Sequence, residues 1–355
     1  MIQRTVPFKV VTPLNGAITP AENTPFKIQN WFSGKYQIKK EKYLNESFGF
    51  RNYFIRLANQ IAFSLFNKSN NSNIIVGKNK YLFEKAYLDS YYGRDFIGVD
   101  SMSHRVNRLK LVNDTLIKLN KNLLLVIAPG KCFYYPEYIP DHFRQQPGIT
   151  NYNYFLKLIK TTKLNYIDFN QYFIDHKYRS AYDLYPQFGI HWSYYGACIA
   201  GDSIIKYIEA LRQIDMPNFT WNIMDSGFIK PMDYDLGGLL NLLLALKPGH
   251  LVYPRIEFQR DSGKTKPAVL IVGDSFYNSM FDYGIEKCFS RSSFWYYNKK
   301  NYPAFYPNSP QNEEINIKQE MDKYDVILLM STEASLVNLG WGFIDTVYNM
   351  FYGIQ

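Results

Sequence analysis

The chain has 355 residues, and its 40 Lys and Arg against 31 Asp and Glu give a net charge of +9. That length accommodates one large α/β domain with extensions or two modest domains, and 46% apolar residues suffice for a real core, which excludes a disordered tail and a small stapled scaffold. The basic excess is either a diffuse lysine-rich surface or a match to an anionic partner, an acidic glycan, a phospholipid surface or nucleic acid.

Residues 1–40 carry Pro7, Pro13, Pro20 and Pro25 with little periodicity, so they read as an extended arm ending in the aromatic cluster Trp31-Phe32-Ser33-Gly34-Lys35-Tyr36-Gln37. Residues 41–355 read as one α/β domain, whose part from 41 to 100 is an extension of helices and a β-hairpin. Apolar stripes from 40 to 67 predict two helices broken at Gly49, and Ile74-Ile75-Val76 and Tyr81-Leu82-Phe83 flank a turn at Gly77-Lys78-Asn79-Lys80. A helix over 101–119, a buried strand from Asn122 ending at Pro129-Gly130, a helix over 150–161, a strand over 166–169 and a helix over 193–212 then alternate, which implies a mainly parallel sheet in a three-layer α/β sandwich. Beyond a loop over 225–231, a short buried helix is expected over 235–246, an edge strand near 292–297, a last buried strand over 325–331 and a terminal helix over 334–351 broken near Gly340.

The run Ala268-Val269-Leu270-Ile271-Val272 stops at Gly273-Asp274-Ser275. Unbroken apolarity predicts a strand buried on both faces, and the C-terminal end of such a strand is where open α/β sheets bind ligands. Ser275 is therefore a candidate nucleophile beside the N-terminus of the next helix, whose free N–H groups stabilise an oxyanion; Asp and Ser there also suit a plain helix cap. Gly-x-Ser-x-Gly is not satisfied, which disfavours an ordinary α/β-hydrolase elbow.

A nucleophilic serine needs a base, and the chain has five histidines. His104 and His142 read as surface residues, His176 follows Asp175 in a helix-like stretch, and His250 sits in a Pro/Gly turn. His191, before Ser193 as a plausible helix cap, stands at a loop edge where either a catalytic or a structural imidazole is held. Asn278, one helical turn past Ser275, and Asn338, after the last strand, are candidate oxyanion donors beside the Ser275 backbone N–H. Lys131 follows Pro129-Gly130 and is either a binder of acidic sugar or a solvated loop residue, and Asp235 reads as an N-cap rather than a catalytic carboxylate. Cys132, Cys198 and Cys288 lack metal or disulfide-framework spacing, though one bridge plus a free thiol is allowed, and no metal or cofactor is expected. There is no dense Arg/Lys patch and no zinc or RNP-type motif, so a nucleic-acid partner is not expected. No apolar run reaches the ~18 residues of a spanning helix, and no signal-peptide core is visible.

Five blocks in order, Glu46-Ser47-Phe48-Gly49-Phe50-Arg51, Val76-Gly77-Lys78-Asn79-Lys80-Tyr81-Leu82-Phe83, Val126-Ile127-Ala128-Pro129-Gly130-Lys131, His191-Trp192-Ser193 and Val272-Gly273-Asp274-Ser275-Phe276, resemble the SGNH-hydrolase-like alginate O-acetyltransferase family of the AlgX and AlgJ type. The resemblance covers about residues 30–340. It implies that His191 and Ser275, 84 residues apart, belong to a catalytic triad. The family's Asp-x-His-Trp motif is broken, because Gly189 stands where the orienting aspartate belongs. Asp183 or Asp175, a backbone carbonyl, or a Tyr hydroxyl is then needed to hold His191, or the site is catalytically weak and used for binding.

The resemblance further implies O-acetylation of a cell-envelope or exported polysaccharide through a serine acyl-enzyme, a periplasmic or envelope-associated location, and a membrane-bound O-acyltransferase partner that supplies the acetyl group. A carbohydrate acetylesterase and a non-catalytic glycan-binding or scaffold subunit are the alternatives.

Overall fold

The computed structural model describes residues 13–16, 21–224, 228–249, 251–260, 262–302 and 315–353, so His250 and most of the expected arm upstream of residue 21 lie outside the described residues. Among the described residues three helices come first, α1 (Ile28–Phe32), α2 (Lys35–Ser47) and α3 (Arg51–Phe66), then the hairpin β1 (Ile74–Val76) and β2 (Leu82–Glu84), and α4 (Lys85–Tyr91). There follow α5 (Val99–Lys118), β3 (Asn122–Ala128), the short α6 (Lys131–Tyr134), α7 (Asn151–Ile159), β4 (Asn165–Asp168), α8 (Phe169–His176) and α9 (Tyr194–Arg212). The second half holds β5 (Phe219–Met224), α10 (Asp235–Leu239), β6 (Tyr253–Phe258), β7 (Ala268–Gly273), α11 (Asn278–Tyr283), β8 (Arg291–Tyr296), β9 (Lys300–Tyr302), α12 (Ile317–Asp322), β10 (Val326–Thr332) and α13 (Phe343–Tyr352).

The unbroken apolar runs become the middle of a six-stranded sheet in the order β4-β3-β10-β7-β8-β9, parallel except for β9. Every residue of β7 and of β10 is buried, because each strand has neighbours on both edges and helices on both faces. Successive side chains point to opposite faces, and the core divides accordingly. Val269, Ile271, Leu328 and Met330 pack with α9 on one side, while Leu270, Val272, Ile327 and Leu329 pack with α5, α7 and α13 on the other. The result is the expected α/β three-layer sandwich.

Departures from expectation have local causes. Part of the presumed arm is helical, since α1 and the start of α2 lie upstream of residue 41. The helix expected over 235–246 stops at Leu239. The strand near 292–297 is not an edge, because Tyr297, Asn298 and Lys299 turn the chain back, the first two at positive φ, and β9 pairs antiparallel with β8. An antiparallel ribbon of β5 and β6 was not foreseen. Its signal is the period-two alternation of Phe219, Trp221 and Ile223. The ribbon matters to the site, because the excursion between its strands carries α10.

Leu328 is 1% exposed at the centre of the sheet. Leu328→Ala is expected to lower the unfolding free energy by about 2–5 kcal/mol, read from denaturant titration, through lost burial and the cavity left behind.

Candidate active site

The C-terminal ends of β3, β7 and β10 converge, and the residues just beyond them form the floor of the site. After β7 the chain turns sharply, and Asp274 caps the turn by accepting hydrogen bonds from Phe276 N at 3.1 Å and from Thr332 N at 3.0 Å. Asp274 thus joins the ends of β7 and β10 and leaves Ser275 half-buried as the first residue of a short 3-10 turn leading into α11. Burial raises the Asp274 carboxyl to about 6, the two backbone donors pulling the other way. Helix capping and presentation of Ser275 are therefore shared between neighbours: Asp274 caps, and Ser275 points away.

His191 reaches Ser275 from the loop before α9, with Nε2 2.8 Å from Ser275 Oγ. Its Nδ1 lies 2.7 Å from Asp235 Oδ2. A carboxylate only accepts, so Nδ1 carries the proton, and Nε2 is left to accept from the Ser275 hydroxyl. Asp235 is itself pinned, since its Oδ1 accepts from Ile190 N at 2.9 Å and Leu236 N at 2.7 Å. The imidazole is 8% exposed and lies against the Phe276 ring, with centroids 4.9 Å apart. Next to it, Trp192 Nε1 donates to Phe276 O at 3.2 Å and Ser279 Oγ at 2.9 Å, which ties the histidine loop to the serine turn. Ser193 caps α9 as expected, its Oγ accepting from Gly196 N at 3.0 Å and donating to Asp183 O at 2.6 Å.

The orienting carboxylate is therefore neither Asp183 nor Asp175. Asp183 offers its backbone carbonyl to Ser193, and Asp175 accepts from Gln171 Nε2 on the exposed side of α8. Asp235, expected as an N-cap, fills that place, while Tyr234 occupies the cap position of α10. Gly189 explains why. A Cβ there would stand 2.6 Å from Met232 O and 3.0 Å from the Asp233 backbone carbon. The segment that delivers Asp235 thus occupies the space an aspartate at 189 would need.

Lys131 also departs from expectation. It is 1% exposed, and its Nζ donates to Gln187 O at 2.8 Å and Gly189 O at 2.7 Å, so it braces the loop that carries His191 rather than facing a sugar. Burial lowers its ammonium to about 7. At Gly130, before it, a Cβ would fall 1.5 Å from the Glu333 carboxyl, so a larger residue there requires that fully buried side chain to move. Asn278 is half-buried at the first position of α11, one turn past Ser275. Asn338 is exposed, and Leu336 and Leu339 beside it pack into the opposite helical layer, so it does not join the site. Among the described residues no group of His, Cys, Asp and Glu is placed to hold a metal ion, and Cys132, Cys198 and Cys288 are buried free thiols.

The profile of the family described as "SGNH hydrolase-like domain, acetyltransferase AlgX" matches residues 74–251. The O-acetyltransferase domain of Pseudomonas putida AlgJ superposes with a TM-score of 0.52 at 16% identity, covering 78% of this chain and 99% of that one, and supports the SGNH-hydrolase-like fold. Bacillus cereus PatB1 with a sulfonyl adduct gives a TM-score of 0.49 at 13% identity over 74% of this chain and 97% of its own. Pseudomonas aeruginosa AlgX gives 0.48 at 14% over 77% of this chain and 67% of its own. No curated protein sequence matches the chain.

Two outcomes are expected at this site. Gly189→Asp displaces the 232–235 segment, so it lowers the melting temperature and fails to restore a variant lacking the Asp235 carboxylate. Asp233, fully buried within that segment, has its carboxyl raised to about 7 by burial. A raised carboxyl pKa stabilises the fold at acid pH and loses that contribution as pH rises through the folded value. The stability of the native chain relative to Asp233→Asn should therefore fall between pH 4 and pH 7, with a slope of up to about 1.4 kcal/mol per pH unit in urea titrations.

Proposed function

Because the chain belongs to the family of SGNH hydrolase-like acetyltransferase domains of the AlgX type, we propose that it is a serine-dependent O-acetyltransferase that acetylates hydroxyls of a cell-envelope or exported polysaccharide. The observation that carries this reading is the continuous chain of hydrogen bonds from Asp235 through His191 to Ser275, 2.7 Å and 2.8 Å long.

In this mechanism the Ser275 hydroxyl gives its proton to His191 Nε2 as Oγ attacks the carbonyl carbon of an acetyl ester donor. Asp235 holds the ring in the productive tautomer and stabilises the imidazolium that forms. The oxyanion is met by the Ser275 backbone N–H at the start of its turn, with Asn278 the nearest side-chain candidate. The tetrahedral adduct collapses, the donor's alcohol leaves with the proton from His191, and the acetyl group remains on Oγ. A sugar hydroxyl then gives its proton to the same Nε2, attacks the acyl carbon and leaves as the acetylated product, with the proton returned to Ser275. Water in that second step gives esterase chemistry. The non-catalytic glycan-binding alternative is motivated by the missing aspartate and the aromatic excess; Asp235 beside His191 supports the catalytic reading against the first of these.

An open groove of about 760 Å³ beside the β1–β2 hairpin is lined by residues including Asn67, Asn71, Lys78 and His142. Its wall is tied to the histidine loop, since Gln187 Nε2 donates to Asn79 O at 2.7 Å. The envelope location and a membrane-bound acyltransferase that delivers the acetyl group belong to the same proposal.

The test is turnover of a chromogenic acetyl ester with and without an oligosaccharide acceptor, with acetylated product read by mass spectrometry. Ser275→Ala is expected to abolish both reactions and the acetylated protein species. Asp235→Asn should lower turnover on the order of 10⁴-fold without loss of fold, while Asp175→Asn and Asp183→Asn leave it within about twofold of the native rate, since neither touches the imidazole. Ester cleavage that no acceptor diverts to sugar would leave the esterase alternative, and full activity in Ser275→Ala would discard the nucleophile.

A further inference from the structure

Helix α3 is docked the wrong way round for a surface helix. Its polar side chains face the protein: Arg56 Nη1 donates to Leu242 O at 3.1 Å, Asn59 Nδ2 to Leu240 O at 2.9 Å, and Gln60 accepts from Leu244 N at 3.0 Å. Phe63 is the helix's one buried residue among those described. Phe54, Ala58, Ile61 and Leu65 recur at i, i+4, i+7 and i+11, the spacing of a continuous apolar stripe, and all four are exposed. Leu65 is 72% exposed. A soluble surface helix puts that stripe inward and its Asn and Gln outward, so an outward stripe has been kept for something else.

The neighbouring helices repeat the feature. Neither α1 nor α2 has a buried residue, and Phe32 is 83% and Ile38 71% exposed. Among these apolar groups stands most of the molecule's charge imbalance. Residues 26–68 hold eight Lys and Arg against Glu41 and Glu46, which accounts for six of the chain's net nine positive charges. Trp31, Tyr36, Tyr43 and Tyr53 add aromatic rings of the kind that settle at the headgroup level of a bilayer. No helix among the described residues is long and apolar enough to cross a membrane.

We propose that the α1–α3 segment is an interfacial membrane-binding module that seats on an anionic phospholipid surface, its apolar side chains entering the headgroup–acyl boundary and its lysines meeting lipid phosphates. The charge selects this occupant. A second copy of the chain would bring six net positive charges against six, whereas an anionic bilayer attracts each basic residue near its surface. Apolar area combined with a cationic rim is the composition of helices that lie in the membrane plane. The proposal is independent of the acetyltransferase reading, because none of these residues lies at Ser275.

The experiment is flotation of the full chain with vesicles of phosphatidylcholine alone or mixed with phosphatidylglycerol. Binding is expected with the anionic vesicles, weaker by about tenfold or more with neutral ones and weakened by salt. Ile61→Glu with Leu65→Glu should abolish binding, and Lys35→Glu with Lys39→Glu should reduce it by about tenfold. Both variants replace exposed side chains, so melting temperature and turnover of a soluble ester should stay unchanged. A variant that fails to fold is replaced by Phe32→Ser with Ile38→Ser, for which the same loss is expected. Absence of binding to anionic vesicles, equal binding to neutral ones, or a dimer by light scattering that Ile61→Glu with Leu65→Glu converts to monomer would each overturn the proposal.

Discussion

The hydrogen bond between Asp235 and His191 Nδ1 is the contact on which the site turns. It fixes the tautomer that lets Nε2 accept from Ser275, and it couples two segments, 44 residues apart, that share no strand or helix. For that bond to form, the excursion between β5 and β6 must come down on the loop before α9. It does so where Gly189 leaves room, and Gly237 N donates to Phe188 O at 2.9 Å to hold the approach. The same glycine that interrupts the family motif is thus the condition for the carboxylate that replaces it.

Around that bond lie more buried ionisable groups than a core tolerates unpaired. Asp274 and Lys131 meet the cost differently, Asp274 by accepting from two backbone N–H groups and Lys131 by donating to two carbonyls. In both cases the partner is backbone at the edge of the site, so the stabilising contact is also a positional one. Asp274 sets where β7 ends relative to β10, and Lys131 sets where residues 187–189 run. Glu333, whose carboxyl burial pushes well above the ordinary range, with the charge of Asp274 acting in the same direction, stands against Gly130.

A division of labour follows from this arrangement. The parallel sheet supplies a rigid platform and the serine turn. The loop before α9 supplies His191, and the excursion between β5 and β6 supplies the Asp235 carboxylate bonded to it. The N-terminal helices touch the segment that follows α10, through Arg56, Asn59 and Phe63, and face outward with their apolar side.

The sequence by itself determined the platform. Unbroken apolar runs at 122–128, 268–273 and 326–332 can only be satisfied between two layers of helices, and their period and spacing placed Ser275 and His191 at a sheet edge and a helix start, because those signals are local. The serine and histidine were legible there only as candidates, which the resemblance of the blocks paired, and the Ser193 cap was legible from its position before α9. Asp235, Lys131 and the α3 stripe were not. An aspartate opening a short helix looks the same whether it caps or reaches across to an imidazole, a lysine after Pro-Gly looks solvated, and an apolar stripe does not state which side faces the core. Each of these was decided by what another part of the chain brought alongside: the ribbon excursion to His191, the 187–189 carbonyls to Lys131, and the 240–244 backbone to the polar side of α3. Long-range contacts of that kind leave no periodic trace in sequence, so only the tertiary structure assigned the third member of the hydrogen-bonded chain.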